Sequence, residues 1–229
     1  MPDNARQNVT FPSNSHEAHG YLATPPSGRG PGVIVIQEWW GLTPHIADIA
    51  DRLAAAGFVA LAPDLYGGTV AHDADEAGRL MQQLPVEQAS RDLSGAVDYL
   101  LGREDTTGDR VGAVGFCMGG GFVLTLALQR ADHVGAAVAF YPVGHNPSDF
   151  SGLKAGVQVH FGADDAFFPT DQAEALSGAI RAAGTATEFH TYPAGHAFLN
   201  HENLLGTYDA DHAKVAFDRA VEFLRRHLG

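Results

Sequence analysis

The chain has 229 residues, 45% of them apolar, enough to bury a full core, and its formal charge of −13 sets 27 acidic against 14 basic side chains. That balance argues against nucleic acid as a partner, because phosphate binding needs clustered Lys and Arg. No apolar stretch approaches the roughly 20 residues that cross a bilayer, and the single cysteine cannot form an intramolecular disulfide. The polar stretch from Met1 to His19 lacks the apolar core of a signal peptide, so a reducing, cytoplasmic setting is expected.

Short β-branched runs alternate with longer amphipathic stretches, which predicts an α/β fold: one domain over residues 1–229, with a mainly parallel central sheet flanked by helices on both faces. Residues 1–19 read as a polar N-terminal segment and candidate edge strand, and Tyr21 to Ala23 is also an edge-strand candidate. Val33 to Ile36 is apolar at every position, as a strand buried on both faces should be. Ile46, Ile49, Ala50 and Leu53 form one helical stripe that Gly57 ends before Phe58 to Ala62 resumes as strand. An insertion over 66–86 leads, past Pro85, to a helix marked by Leu93, Val97, Leu100 and Leu101, and it is a candidate roof for the site.

Val111 to Val114 reads as the central strand, and Met118 to Leu128, apolar almost all round, as a helix packed into the sheet. Apolar runs at Ala136 to Tyr141, Val157 to Phe161 and Thr187 to Tyr192 complete the strands, with a helix over Thr170 to Ala183 between the last two. An amphipathic helix through Val215, Phe217, Val221, Leu224 and Leu228 ends the chain.

In open parallel sheets the ligand crevice lies beyond the carboxyl ends of the strands, and four such loops carry reactive groups. They hold Glu38, Cys117, the pair Asp164-Asp165, and His196. The spacing Gly115-x-Cys117-x-Gly119 is a nucleophile elbow with sulfur in place of oxygen, and Cys117, Asp165, His196 follow the nucleophile, acid, histidine order. His196 is placed to act as base, and the N-terminus of the Met118 helix favours thiolate. Asp165 is preferred as the orienting acid because Asp164 is better placed as the turn residue. The amides of Trp39 and Met118 occupy the oxyanion-donor positions. Trp40, Phe116, Tyr141 and Phe198 are candidates for an apolar acyl pocket, with packing the commoner role for such residues. Twelve dispersed histidines and no His-Glu-x-x-His helix argue against a metal site.

Gln37-Glu-Trp-Trp-Gly41, Ala62-Pro-Asp-Leu-Tyr66, Gly115-Phe-Cys-Met-Gly-Gly120, Gly162-Ala-Asp-Asp165 and Ala194-Gly-His-Ala-Phe198 together resemble the dienelactone hydrolase family. The resemblance implies an α/β-hydrolase fold and a cofactor-independent carboxylic-ester or lactone hydrolase, with a Cys117-His196-Asp165 triad and an acyl-thioester intermediate. It gives Glu38 the task of contacting the resting thiol and helping to generate thiolate, and it matches Tyr141 to a cleft tyrosine. The family prototype holds a substrate carboxylate with arginines. One of those positions is Asn200 here, and Arg79 lies near the other without aligning to it, so both are counted as candidate substrate contacts. The expected partner is a small ester or lactone, on a monomer or small homo-oligomer with no metal, organic cofactor or membrane. A thioesterase or other acyl hydrolase, and a non-catalytic ligand-binding scaffold, are the alternatives.

Overall fold

The computed structural model describes residues 6–13, 16–144 and 146–229; residues 1–5, 14 and 15 of the polar N-terminal segment lie outside these. Among the described residues eight strands form one sheet: β1 Val9–Ser13, β2 His16–Ala23, β3 Gly30–Ile36, β4 Val59–Pro63, β5 Thr106–Phe116, β6 Val134–Phe140, β7 Gly156–Gly162 and β8 Thr187–Tyr192. Their spatial order is β1-β2-β4-β3-β5-β6-β7-β8, with β1–β2 and β2–β4 antiparallel and every other pair parallel. The fold is α/β, and the helices follow the strands as crossovers must.

The helices among the described residues are α1 Pro44–Ala55, α2 Ala74–Gln83, α3 Val86–Leu101, α4 Met118–Gln129, α5 Thr170–Ala182 and α6 Ala210–Leu228. Helix α1 packs on β2, β3 and β4, and α6 on β5, β6 and β7; Arg52 of α1 lies over the Phe217 ring of α6. Helix α3 packs on β1, β3, β4 and β5 and touches α4, which covers β3, β5 and β6. No helix is long and apolar enough to cross a membrane among the described residues.

The central strands follow directly from their sequences. Val33 to Ile36, Ala136 to Phe140, Val157 and Val159 are fully buried, so both faces of the sheet are covered by helices. At the N-terminal end, β1 lies within the 1–19 segment expected to offer an edge strand. Tyr21 to Ala23 belongs to β2, which lies between β1 and β4, so the edge is β1. Pro12 suits such an edge, and only Phe11 among the side chains of β1 is a buried hydrophobe. Contact with α3 holds it: Ser13 Oγ donates to Asp92, and Gly95 leaves room for the Pro12 carbonyl.

The 66–86 insertion sits against the loop after β3. Trp40 is buried with Ala71 and Ala77, and Gly78 lies beside the Trp39 ring. The insertion therefore braces the loop that carries Glu38 and Trp39.

Candidate active site

Strand β5 ends at Phe116 and α4 begins at Met118, leaving Cys117 alone to make the turn with φ 54° and ψ −117°. A non-glycine residue in this region is strained, and the surroundings over-determine it. Its N–H donates to the Phe140 carbonyl at 3.0 Å, while its own carbonyl accepts from Gly120 at 2.9 Å and Val143 at 3.1 Å. The flanking glycines are a packing requirement. A Cβ on Gly115 would stand 2.2 Å from the Gly119 carbonyl oxygen, and one on Gly119 would stand 2.4 Å from the Ile36 oxygen.

Cys117 is 6% exposed, His196 4% and Glu38 2%, so the three groups occupy a closed interior. Burial, and next the neighbouring Glu38 carboxylate, push the thiol well above its ordinary range, with a smaller push from Asp165. The backbone N–H groups of Met118 and Trp39 act the other way, bonding to the sulfur and favouring thiolate. These are the two amides expected to serve an oxyanion.

Asp165, not its neighbour Asp164, meets the histidine: Oδ2 lies 2.7 Å from His196 Nδ1. Its other oxygen accepts from the N–H groups of Phe167 and Phe168, both at 2.8 Å, which anchors the carboxylate. Asp164 is exposed, and its N–H closes the turn onto the Ala194 carbonyl at 3.1 Å. With Nδ1 committed to Asp165, Nε2 of His196 is the free nitrogen, buried and without a hydrogen-bond partner among the described residues.

Glu38 is held at both oxygens. Tyr141 donates to Oε1 at 3.2 Å and Asn200 Nδ2 to Oε2 at 2.5 Å. Burial raises its carboxyl to about 7, against the opposing pull of Asn200, His196 and Tyr141. Tyr141 takes up φ 39°, and its N–H is fixed on the His160 carbonyl at 2.7 Å. Its ring lies 5.0 Å from that of His196 and 5.6 Å from Phe198.

The other candidates separate. Trp40 packs under α2, while Phe116 stacks on Phe140 and Phe198 packs on Tyr192, so these three sit in the core. Arg79 is exposed on α2 and forms no ion pair among the described residues. Asn200 is buried on Glu38.

Phe167, which sequence reasoning passed over, is 53% exposed, and its ring lies 4.9 Å from the His196 ring and 6.2 Å from Trp39. Two consecutive phenylalanines just after a candidate acid were the available signal. Among the described residues no group of three or more His, Cys, Asp or Glu side chains is arranged to hold a metal ion.

A strained cysteine turn at the end of a central parallel strand, with an acid and a histidine on two later loops, has the layout of an α/β-hydrolase. The chain belongs to the dienelactone hydrolase family, a family of carboxylic-ester hydrolases, whose sequence model matches residues 18–228. Protein usf of Aquifex pyrophilus is 34% identical over 230 residues, covering 97% of this chain and 99% of that protein. The carboxymethylenebutenolidase of a Pseudomonas species is 29% identical over 217 residues, 90% of this chain and 89% of that one. Among solved structures, a dienelactone hydrolase-like promiscuous phosphotriesterase from metagenomic libraries superposes with a TM-score of 0.81 at 26% identity, covering 96% of this chain and 97% of that chain.

Proposed function

We propose that this hydrolase cleaves small carboxylic esters and lactones through an acyl-thioester on Cys117, with His196 and Asp165 as base and orienting acid. The observation that carries the reading is the 2.7 Å bond between Asp165 and His196, which leaves Nε2 free in the same closed interior as the strained thiol. When substrate arrives, the thiol proton passes to the Glu38 carboxylate and the thiolate attacks the acyl carbon. The amides of Trp39 and Met118 then hold the oxyanion. The C–O bond breaks, and the departing oxygen takes up the proton held by Glu38. Water next gives a proton to His196 Nε2 and attacks the thioester; that proton returns to sulfur as the acid leaves.

No hydrogen bond joins Nε2 to sulfur, and burial pushes the thiol up, which together favour activation by Glu38 over a standing Cys–His ion pair. Asp165→Asn removes the charge that steadies the imidazolium and is expected to lower kcat on p-nitrophenyl acetate and on a simple butenolide by about 10² to 10⁴-fold. His196→Ala should lose at least as much. Wild-type rates in either variant, with far-ultraviolet circular dichroism unchanged, would remove the histidine and acid from the reaction.

A further inference from the structure

The two sides of His196 are held by different parts of the chain. Before it, the loop is locked onto the turn after β7. The Ala194 N–H donates to the Tyr192 carbonyl at 2.8 Å, the Asp164 N–H donates to the Ala194 carbonyl at 3.1 Å, and a Cβ on Gly162 would stand 2.4 Å from that same oxygen. After it, the chain turns at Ala197, whose φ of 58° lies in the left-handed region that a residue with a Cβ resists. The residues ahead of α6 hold this side. Thr207 Oγ1 donates to the His196 carbonyl, and the Asp209 N–H donates to the Phe198 carbonyl at 3.0 Å. Asp209 is itself the N-cap of α6, accepting from the His212 N–H at 3.1 Å, so the helix start fixes the pair. Thr207 has a second hold on the loop. A Cβ built on Gly195 would stand 2.9 Å from the Thr207 methyl carbon and 3.3 Å from its Cβ, so that glycine admits the threonine side chain. We propose that Thr207 is the positioning residue for His196: it grips the carbonyl after the imidazole and the glycine before it, and so keeps Nε2 on the bearing that thioester hydrolysis needs.

The inference rests on the role given above to His196 in hydrolysis of the acyl-enzyme. The bond from Asp165 fixes one point of the imidazole, at Nδ1. Where the other nitrogen lies depends on the direction of the Cα–Cβ bond, which the two flanking peptides set. The peptide after His196 leads into the strained turn at Ala197, so without its donor it is the one with a reason to rotate. Nε2, at the far end of the ring, then moves furthest, and a displacement of about 1 Å is enough to cost a catalytic group ~10²-fold.

The two half-reactions draw on this clamp unequally. Acylation takes the thiol proton to Glu38, whereas deacylation requires Nε2 to take a proton from the attacking water. Loosening the grip of Thr207 therefore slows the second step and spares the first, a separation that a general loss of folding or packing does not produce.

The test is p-nitrophenyl acetate turnover by Thr207→Val and Thr207→Ser. Nitrophenolate release under excess enzyme reads acylation, and kcat reads the whole cycle. Valine keeps the methyl against Gly195 and loses the donor, while serine keeps the donor. Thr207→Val should lower kcat by about 10-fold, with KM falling alongside, so that kcat/KM and the acylation rate stay within about threefold of wild type and acetyl-enzyme accumulates. Thr207→Ser should bring kcat back to within about threefold of wild type. Thr207→Ala carries the same expectation as valine should valine fold poorly. Wild-type kcat in the variant without the donor overturns the proposal, and so does a loss that falls equally on acylation and kcat, the mark of a structural role. Failure of the underlying thiol reading would look different: Cys117→Ala would keep turning over the ester, whichever residue stands at position 207.

Discussion

Cys117→Ala is expected to lower kcat/KM for p-nitrophenyl acetate by more than ~10³-fold while leaving the protein folded. The magnitude follows from covalent catalysis: without sulfur no acyl-enzyme forms, and the remaining Trp39 and Met118 amides can only polarise a carbonyl that water must attack unaided. Cys117 is the only cysteine in the chain, so no second thiol can take over. Alanine carries the same Cβ at the same positive φ and keeps the N–H bonded to the Phe140 carbonyl, so the elbow itself is undisturbed. Cys117→Ser restores the shape of the nucleophile with a much weaker acid. The account expects only a small part of the activity to return, because Glu38, held near neutrality, cannot ionise an alcohol as readily as a thiol. Turnover by Cys117→Ala within tenfold of wild type would remove the thiol from the mechanism.

The second large effect is on folding. Gly119→Ala puts a Cβ 2.4 Å from the Ile36 oxygen and 2.5 Å from the Gln37 oxygen, both of them backbone at the end of β3. Neither carbonyl can withdraw without carrying along Glu38 and Trp39. The substitution should cost roughly 3 kcal/mol, at the upper end of overpacking penalties, and depress activity as well. Gly178→Ala on α5 is the matched control, since nothing lies within 4 Å of its added Cβ. Relief of a helix-interior glycine there should stabilise by about 0.5 to 1 kcal/mol. Urea midpoints read both, and similar shifts for the two variants would show that the close approach of α4 to β3 is not a constraint.

Much of the framework was legible because single residues carry it. The run Val33 to Ile36 can only be a strand buried on both faces, and the glycines around Cys117 announce a turn too tight for a Cβ. Each loop after such a strand then becomes a place to look for chemistry. What the sequence hid depends on contacts between distant segments. Nothing local tells that Asn200 donates to Glu38, 162 residues earlier, whereas the turn preference of Asp164 did point to Asp165 as the carboxylate that meets His196. Strand β1 was legible only as a candidate edge somewhere within residues 1–19, because its pairing with β2 and its anchor on Asp92 have no signature in its own composition. Trp40 illustrates the reverse ambiguity: an aromatic beside the reactive loop suits either cleft or core, and the packing of Ala71 and Ala77 against it determines which.

Rapid-quench mass spectrometry with p-nitrophenyl acetate looks for the acyl-enzyme itself, on the wild type and on His196→Ala, in which hydrolysis of the thioester should be slowed. A single acetyl group is expected on the peptide that contains Cys117, formed as the first equivalent of nitrophenol is released and absent from Cys117→Ala. An adduct on any other residue, or product release from enzyme that never carries one, would contradict the acyl-thioester mechanism.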